Sequence, residues 1–368
     1  MKKQNKRRIN LDAILEIIKK YKTPLNRGNQ TSKEYLRSLF DNYIYDLKSA
    51  LPYNLNRLYG EIMSNKIESK IQIIKNLCDE IIEIFELYEE GQQSKAAMVS
   101  FDSFNRIKPY LMMKYTGAWQ KEWFYRIRIY DERKPFSLER KELFHVPLSK
   151  KELCATERYS MPGYPCLCLA TQPELCWYEC KKPKVFAISK FDIPQEIENT
   201  MCLVDFSEKM IPLAHSFFCW RYNEKEEKEI EKIENYLCKF LIIYPLRAAC
   251  SLIASYDSHV SFKEEYIIPQ LLLQWINSDT DFDGVKYETV SEYNESHCYG
   301  GANVVFVSKG FDKDGYARNL RNKIKVATPK IIDIDNLNLP DWMISGKTEE
   351  QCIFGWGMEK GPEDYELI

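Results

Sequence analysis

Histidine is scarce in this sequence. Its four copies, at positions 145, 215, 259 and 297, show no metal-ligand spacing. Each reads as a surface or satisfied core residue, and no metal is expected. Glycine is thin too, with 14 in 368 residues. No glycine-rich dinucleotide turn follows a strand, and no Walker loop or nucleophile elbow occurs. The one suggestive stretch, Gly355-Trp356-Gly357, lies in the tail outside any βαβ context. Rossmann, P-loop and α/β-hydrolase chemistry are thereby set aside. Neither sign of charge is in surplus, since 52 basic and 54 acidic residues leave a net −2. That argues against a general nucleic-acid binder. No apolar run is long enough to span a bilayer. The basic stretch Met1 to Arg8 leads into an amphipathic one (Leu11, Ile14, Leu15, Ile17, Ile18) rather than a signal peptide's apolar core and cleavage site. A cytoplasmic protein without membrane partners is expected.

Hydrophobic residues at 45% and charged residues at 29% are globular proportions, and the length suffices for two domains with separate cores. The twelve cysteines are read as thiols in a reducing compartment. Cys166, Cys168, Cys176 and Cys180 cluster, and four thiolates would satisfy a tetrahedral zinc. The usual two-residue gaps are missing, however, and the pattern falls on a strand followed by a helix. Small buried hydrophobes are the preferred reading.

Residues 9 to about 113 carry helical periodicity. Ile67, Ile71, Ile74, Leu77, Ile81 and Ile84 recur at three- and four-residue steps between charges. Thr31-Ser32-Lys33-Glu34 offers a cap before Tyr35 and Leu36. Gly91 to Ser94 reads as a break before a last helix carrying Met98 to Met113. Near Gly117 the composition shifts. Trp123 to Tyr130 alternates with a period of two, with Tyr125, Ile127 and Ile129 on one face and Arg126 and Arg128 on the other. That cationic face fits a solvated sheet as well as a ligand site. Cys166–Ala170 is a strand, and Thr171 to Glu174 reads as a capping box opening a helix on which Glu179 follows Leu175, Cys176, Trp177 and Tyr178. Strands are also expected at Lys184 to Ser189, Met201 to Phe206, Val285 to Tyr287 and Asn303 to Val307. Helices are expected at Glu224 to Ser255 and from Pro269 through Trp275. The fold class is α+β: a helical bundle over 1–115, a mixed α/β domain over 116–330, and a peripheral extension over 331–368.

Arg158-Tyr159-Ser160-Met161-Pro162-Gly163-Tyr164-Pro165-Cys166-Leu167-Cys168-Leu169-Ala170, followed by Cys176-Trp177-Tyr178-Glu179, closely resembles the core of RES-domain proteins. Phe124-Tyr125-Arg126 upstream, and Glu265-Tyr266-Ile267-Ile268-Pro269-Gln270 and Asp283 to Thr289 downstream, fit the same family in the same order. The resemblance covers about residues 120 to 310. It implies an ADP-ribosyltransferase-like fold and an NAD+-consuming toxin or defence effector, often paired with a helix-turn-helix antitoxin. It also implies a homodimer. Carried over, Arg126 and Glu179 are the family Arg and Glu, and Arg158 is a second Arg. Thr289 stands where a Ser is usual. Cys168 replaces a Tyr of the nicotinamide pocket, for which Tyr159, Tyr164 or Tyr178 would have to substitute. Glu179, Arg126 and Thr289 are the implied catalytic groups. Arg158, Arg128, Tyr159, Ser160, Cys168 and Gln270 are the implied NAD+-binding groups. The bundle is similar to HEPN-type domains found ahead of some RES domains. Having no histidine, it lacks the Arg and His of their ribonuclease members, which leaves regulation, oligomerisation or sensing.

The residue types suit that chemistry. Arg grips a pyrophosphate bidentately. A fixed carboxylate stabilises the positive charge that develops on ribose as the nicotinamide bond breaks. Nicotinamide is already cationic and departs neutral, so the second carboxyl group of ordinary glycosidases is dispensable. Glycohydrolysis or phosphorolysis of NAD+ leads. ADP-ribosyl transfer to a macromolecule and an inactive binding module are the alternatives.

Overall fold

The computed structural model describes residues 16–50, 68–114, 123–198, 200–207, 227–253, 262–279, 281–290, 301–336 and 366–368. Its longer helices are α1 Ser32–Ala50, α2 Ile71–Glu89, α3 Gln93–Leu111, α4 Pro173–Glu179, α5 Glu227–Cys250 and α6 Ile267–Ser278. Its strands are β1 Met113–Lys114, β2 Phe124–Ile129, β3 Cys166–Ala170, β4 Val185–Asp192, β5 Cys202–Asp205, β6 Gly284–Glu288, β7 Ala302–Val307, β8 Lys325–Val326, β9 Lys330–Asp333 and β10 Glu366–Leu367. The protein is thus mixed α+β, a helical N-terminal region followed by a mixed sheet. Among the described residues no helix is long and apolar enough to cross a membrane.

The chain divides into two units, 1–112 with 207–275, and 113–206 with 276–368. In the first, the expected cap starts α1. Thr31 N donates to Glu34 Oε2 at 3.1 Å and Glu34 N to Thr31 Oγ1 at 3.2 Å, a reciprocal box. Leu36, Phe40, Tyr43 and Leu47 follow at helical spacing, and all four are buried. Helix α2 packs against α1, α3 and α5 and buries Ile74, Leu77, Ile81 and Ile84, each worth roughly 1.5–3 kcal/mol when fully removed from water. Pro245 lies inside α5 and has no amide for the carbonyl four residues earlier, Leu241. The buried Tyr43 hydroxyl takes that oxygen at 2.7 Å, tying α1 to the irregular turn.

The second unit is built on a ten-stranded sheet of order β1-β5-β6-β7-β3-β2-β4-β8-β10, with β9 also on β4. Its main core gathers Phe124, Phe144, Leu167, Leu169, Phe191, Val304 and Phe306. All pairings are antiparallel except β5 with β6. A parallel pair requires a long crossover, and here it is the run that carries α5 and α6.

That crossover corrects the expected domains. Residues 207–275 join the helical unit because α5 packs on α2 and α3. His215 and His259 fall within this stretch of sequence, outside the described residues. The described ends of the expected extension over 331–368 join the sheet. Its start lies within β9, paired with β4, and β10 pairs with β8. The helix expected to reach Met113 ends at Leu111, since Met112 turns extended and Met113 pairs with Leu203. The capping box at Thr171 does not form. Its hydroxyl instead accepts Ala302 N at 2.9 Å, and Pro173 opens α4 without a side-chain cap.

Candidate active site

Strands β2 and β3 diverge. Every residue of β2 pairs with β4, whereas only Tyr125 pairs with β3, opposite Ala170. Antiparallel strands aim alternate residues' polar groups to opposite sides. Tyr130 N donates to Val185 O, so the carbonyls of Tyr125 and Ile127 face away from β4, toward the gap. Helix α4, two residues after β3, fills it. Cys176 Sγ donates to Tyr125 O at 3.2 Å, and Cys180 Sγ, one helical turn later, lies 3.9 Å from Ile127 O. Two of the clustered thiols thus stand in for missing ladder donors. Among the described residues no group of three or more His, Cys, Asp or Glu could hold a metal ion.

The pairing registers set Tyr125, Ala170, Asn303 and Tyr287 in one row across four strands. Glu179, at the end of α4, reaches this row. Asn303 Nδ2 donates to its Oε1 at 2.5 Å, and Thr289 Oγ1 donates to the same oxygen at 3.2 Å. Among the described residues Oε2 has no hydrogen-bond partner. Burial is the main influence on this carboxyl and raises its pKa. The two donors oppose the rise, Glu157 adds to it and Arg158 counters it. Glu179 and Cys168 are both reached by solvent. The Cys168 thiol is pushed up to about 11 by burial; Arg126 opposes that shift, and Glu157 and Glu179 reinforce it. Cys176 and Cys180 feel the same two charges, Arg126 and Glu179.

Most of the implied residues converge here. Arg158 is buried, and the ring of buried Tyr159 packs 4.4 Å from that of Tyr287. Arg126 donates to Phe144 O at 2.9 Å, and burial lowers its pKa; a guanidinium nonetheless stays charged. Of the tyrosines that could replace the missing ring, Tyr164 is committed to Ser308 O at 2.6 Å and Tyr178 lies under Lys182. Tyr159 is the one facing the row.

Three implied binding residues are placed otherwise. Arg128 points outward, pairs with Glu142 at 2.7 Å and stacks on Phe136, so its charge is matched by its own surface. Ser160 holds a turn, accepting Glu157 N and donating to Glu157 O, both at 2.9 Å. Gln270 lies on α6 within the helical unit and is not counted with this site. His145 is a satisfied core residue. Its Nδ1 donates to Val146 O at 2.8 Å, its Nε2 accepts Ala317 N at 2.9 Å, and burial drives its pKa down to about 4.

Sequence reasoning missed Asn303 and Glu157. Asn303 had a signal, as the lone polar residue in Ala302–Val307. Glu157, beside Arg158 in a loop, had none.

No protein-family model matches the chain, and no solved structure matches it. It is similar to the protein named "Putative toxin YopC" of Bacillus subtilis (strain 168), 28% identical over 294 residues. The match takes in 76% of this chain but 61% of that protein, so the chain spans about three-fifths of its relative's length.

Proposed function

We propose that the sheet unit binds NAD+ and breaks its nicotinamide–ribose bond, as the effector part of a toxin. One observation carries this reading: Glu179 is held through Oε1 by two neutral donors, while among the described residues Oε2 has no hydrogen-bond partner and the residue is reached by solvent. Burial makes a bare carboxylate costly there, which favours a ligand that brings positive charge. The ribose of NAD+ acquires such charge as the bond to nicotinamide lengthens, and a preorganised anion beside it lowers that barrier. Arg158 and Arg126 are the cations suited to the pyrophosphate. The resemblance to RES-domain proteins, with their ADP-ribosyltransferase-like fold, and the likeness to a relative named as a toxin support the same reading. They also imply an antitoxin that silences it.

The test is a timed incubation of wild type and Glu179→Gln with NAD+. Wild type is expected to release nicotinamide, and the variant to lose at least about 100-fold in rate. Equal rates would refute the proposal.

A further inference from the structure

Strand β7 is apolar apart from Asn303, which is only 5% exposed. A buried amide needs partners for its donor end and for its acceptor end. Its register neighbours are Ala170 on β3 and Tyr287 on β6, so the side chain leaves the sheet between a methyl group and a ring, on the face that Glu179 reaches. An ionised carboxylate oxygen can only accept, and the contact with Oε1 therefore sets the amide's orientation. Nδ2 faces Glu179, and Oδ1 is turned away from it. Among the described residues Oδ1 has no hydrogen-bond partner, and it is not one of the unpartnered atoms sealed from solvent. The same holds for Glu179 Oε2. Cys168, diagonal to Asn303 on the same face, is also reached by solvent. Two side chains clamped to each other thus leave one oxygen open apiece, an anionic acceptor and a neutral one.

We propose that Asn303 binds the substrate, its Oδ1 accepting a hydrogen bond from the 3′-hydroxyl of the nicotinamide ribose while Glu179 Oε2 takes the 2′-hydroxyl. This rests on the NAD+ reading above and names what the site demands of its substrate, a vicinal diol. Neighbouring acceptors suit neighbouring donors, and the ribose cis-diol offers two on adjacent carbons. The order follows from the chemistry. An anion that stabilises charge developing at C1′ must lie beside that carbon. Oε2 therefore meets the hydroxyl on C2′, and Oδ1 meets the next one along. An amide suits the position because its two ends are chemically opposite. One end donates to the carboxylate while the other accepts from the sugar. A carboxylate at 303 would repel Glu179, and an aliphatic side chain would serve neither partner. Solvent reaches Oδ1, so a water can take the place of a missing hydroxyl and the discrimination is moderate.

The experiment measures nicotinamide release by the full chain from NAD+ and from its analogue lacking the 3′-hydroxyl of the nicotinamide ribose. Wild type is compared with Asn303→Leu, which removes the acceptor and the clamp on Glu179 together. Wild type is expected to lose about 10-fold in kcat/KM on the analogue. Asn303→Leu should be at least about 10-fold slower on NAD+, yet separate the two substrates by less than about two-fold. A residue that merely held Glu179 would slow both reactions alike and leave the wild-type preference intact. That preference surviving in Asn303→Leu would overturn the contact. So would a wild type indifferent to the 3′-hydroxyl, a result that needs no variant. Should Asn303→Leu fail to fold, Asn303→Ala gives the same comparison without a mismatched side chain. A wild type that releases no nicotinamide from NAD+ would instead remove the NAD+ reading itself, and this proposal with it.

Discussion

Each unit fixes a glutamate by hydrogen bonds, and they treat it differently. In the helical unit Glu265 is 1% exposed and is met by Arg27, whose NH2 and Nε lie 2.6 and 3.1 Å from its Oε1. In the sheet unit Glu179, among the described residues, receives only neutral donors, both on one oxygen. A carboxylate matched by a guanidinium is finished as a structural element. One held on a single side by Asn and Thr is kept in place but left electrically hungry, the condition a cationic substrate relieves. Glu265 belongs to the stretch that carries the RES resemblance, so residue type alone does not distinguish the two.

The largest effect that should separate them is Arg27→Met. It removes the guanidinium that meets the buried Glu265 and is expected to cost about 3–5 kcal/mol in denaturant unfolding. Nicotinamide release per folded molecule should stay at the wild-type level. Glu179→Gln should behave in reverse. A carboxyl with a raised folded pKa weakens the fold as pH climbs through that value, so the neutral variant should melt no lower than wild type while losing activity. A large drop in stability for Glu179→Gln would erase the distinction.

His145 extends the contrast to a group kept neutral by burial. Its folded pKa, about 4, lies below the ordinary 6.5. The unfolded chain therefore binds the proton first. The stability it contributes is full above pH 6.5 and is lost as pH falls toward 4, on the order of 3 kcal/mol. Melting curves across that window should show the loss, and His145→Gln should flatten it. Thr289→Val is milder. Removing one of the donors that hold the Glu179 pKa down should move the acid limb of kcat/KM to higher pH and lower the rate at neutral pH by about ten-fold. An unshifted limb would mean that the Thr289 contact is idle.

What the sequence disclosed was local. The Thr31 cap, the alternation of β2, the bounds of β3 and the break at Gly91 all follow from spacing over a few residues. Glu179 and Thr289 were named together because a family resemblance supplied a link across 110 positions. What stayed hidden depends on distant pairing. Nothing in Trp123 to Tyr130 indicates that β2 parts from β3 after one rung, or that Glu142 covers Arg128. Nor does the periodicity of α5 say which helices it will meet. The crossover became a necessity only once β5 and β6 were seen to be parallel.

The smallest prediction concerns how helices end. Helix α2 stops with Gly91 N on Tyr88 O and Gln92 N on Leu87 O, and Gly91 takes φ +74°. Helix α4 stops with the same pair of bonds, Lys181 N on Tyr178 O and Lys182 N on Trp177 O, but with lysines at φ +62° and +53°. The motif favours glycine at its left-handed position, and an L side chain there costs roughly 1–2 kcal/mol. Lys181→Gly should therefore stabilise the protein by about 0.5–1 kcal/mol once the extra chain entropy of glycine is deducted. Lys182→Gly should gain less, because the Lys182 ammonium lies 4.2 Å from the centre of the Tyr178 ring and that contact, about 0.5–1 kcal/mol, would go. The strained end lies two residues beyond Glu179, whereas the helical unit ends α2 with glycine. If Lys181→Gly raises the melting temperature without slowing nicotinamide release, the strain is incidental to the carboxylate. If release falls as stability rises, the left-handed lysines help to fix where Oε2 points.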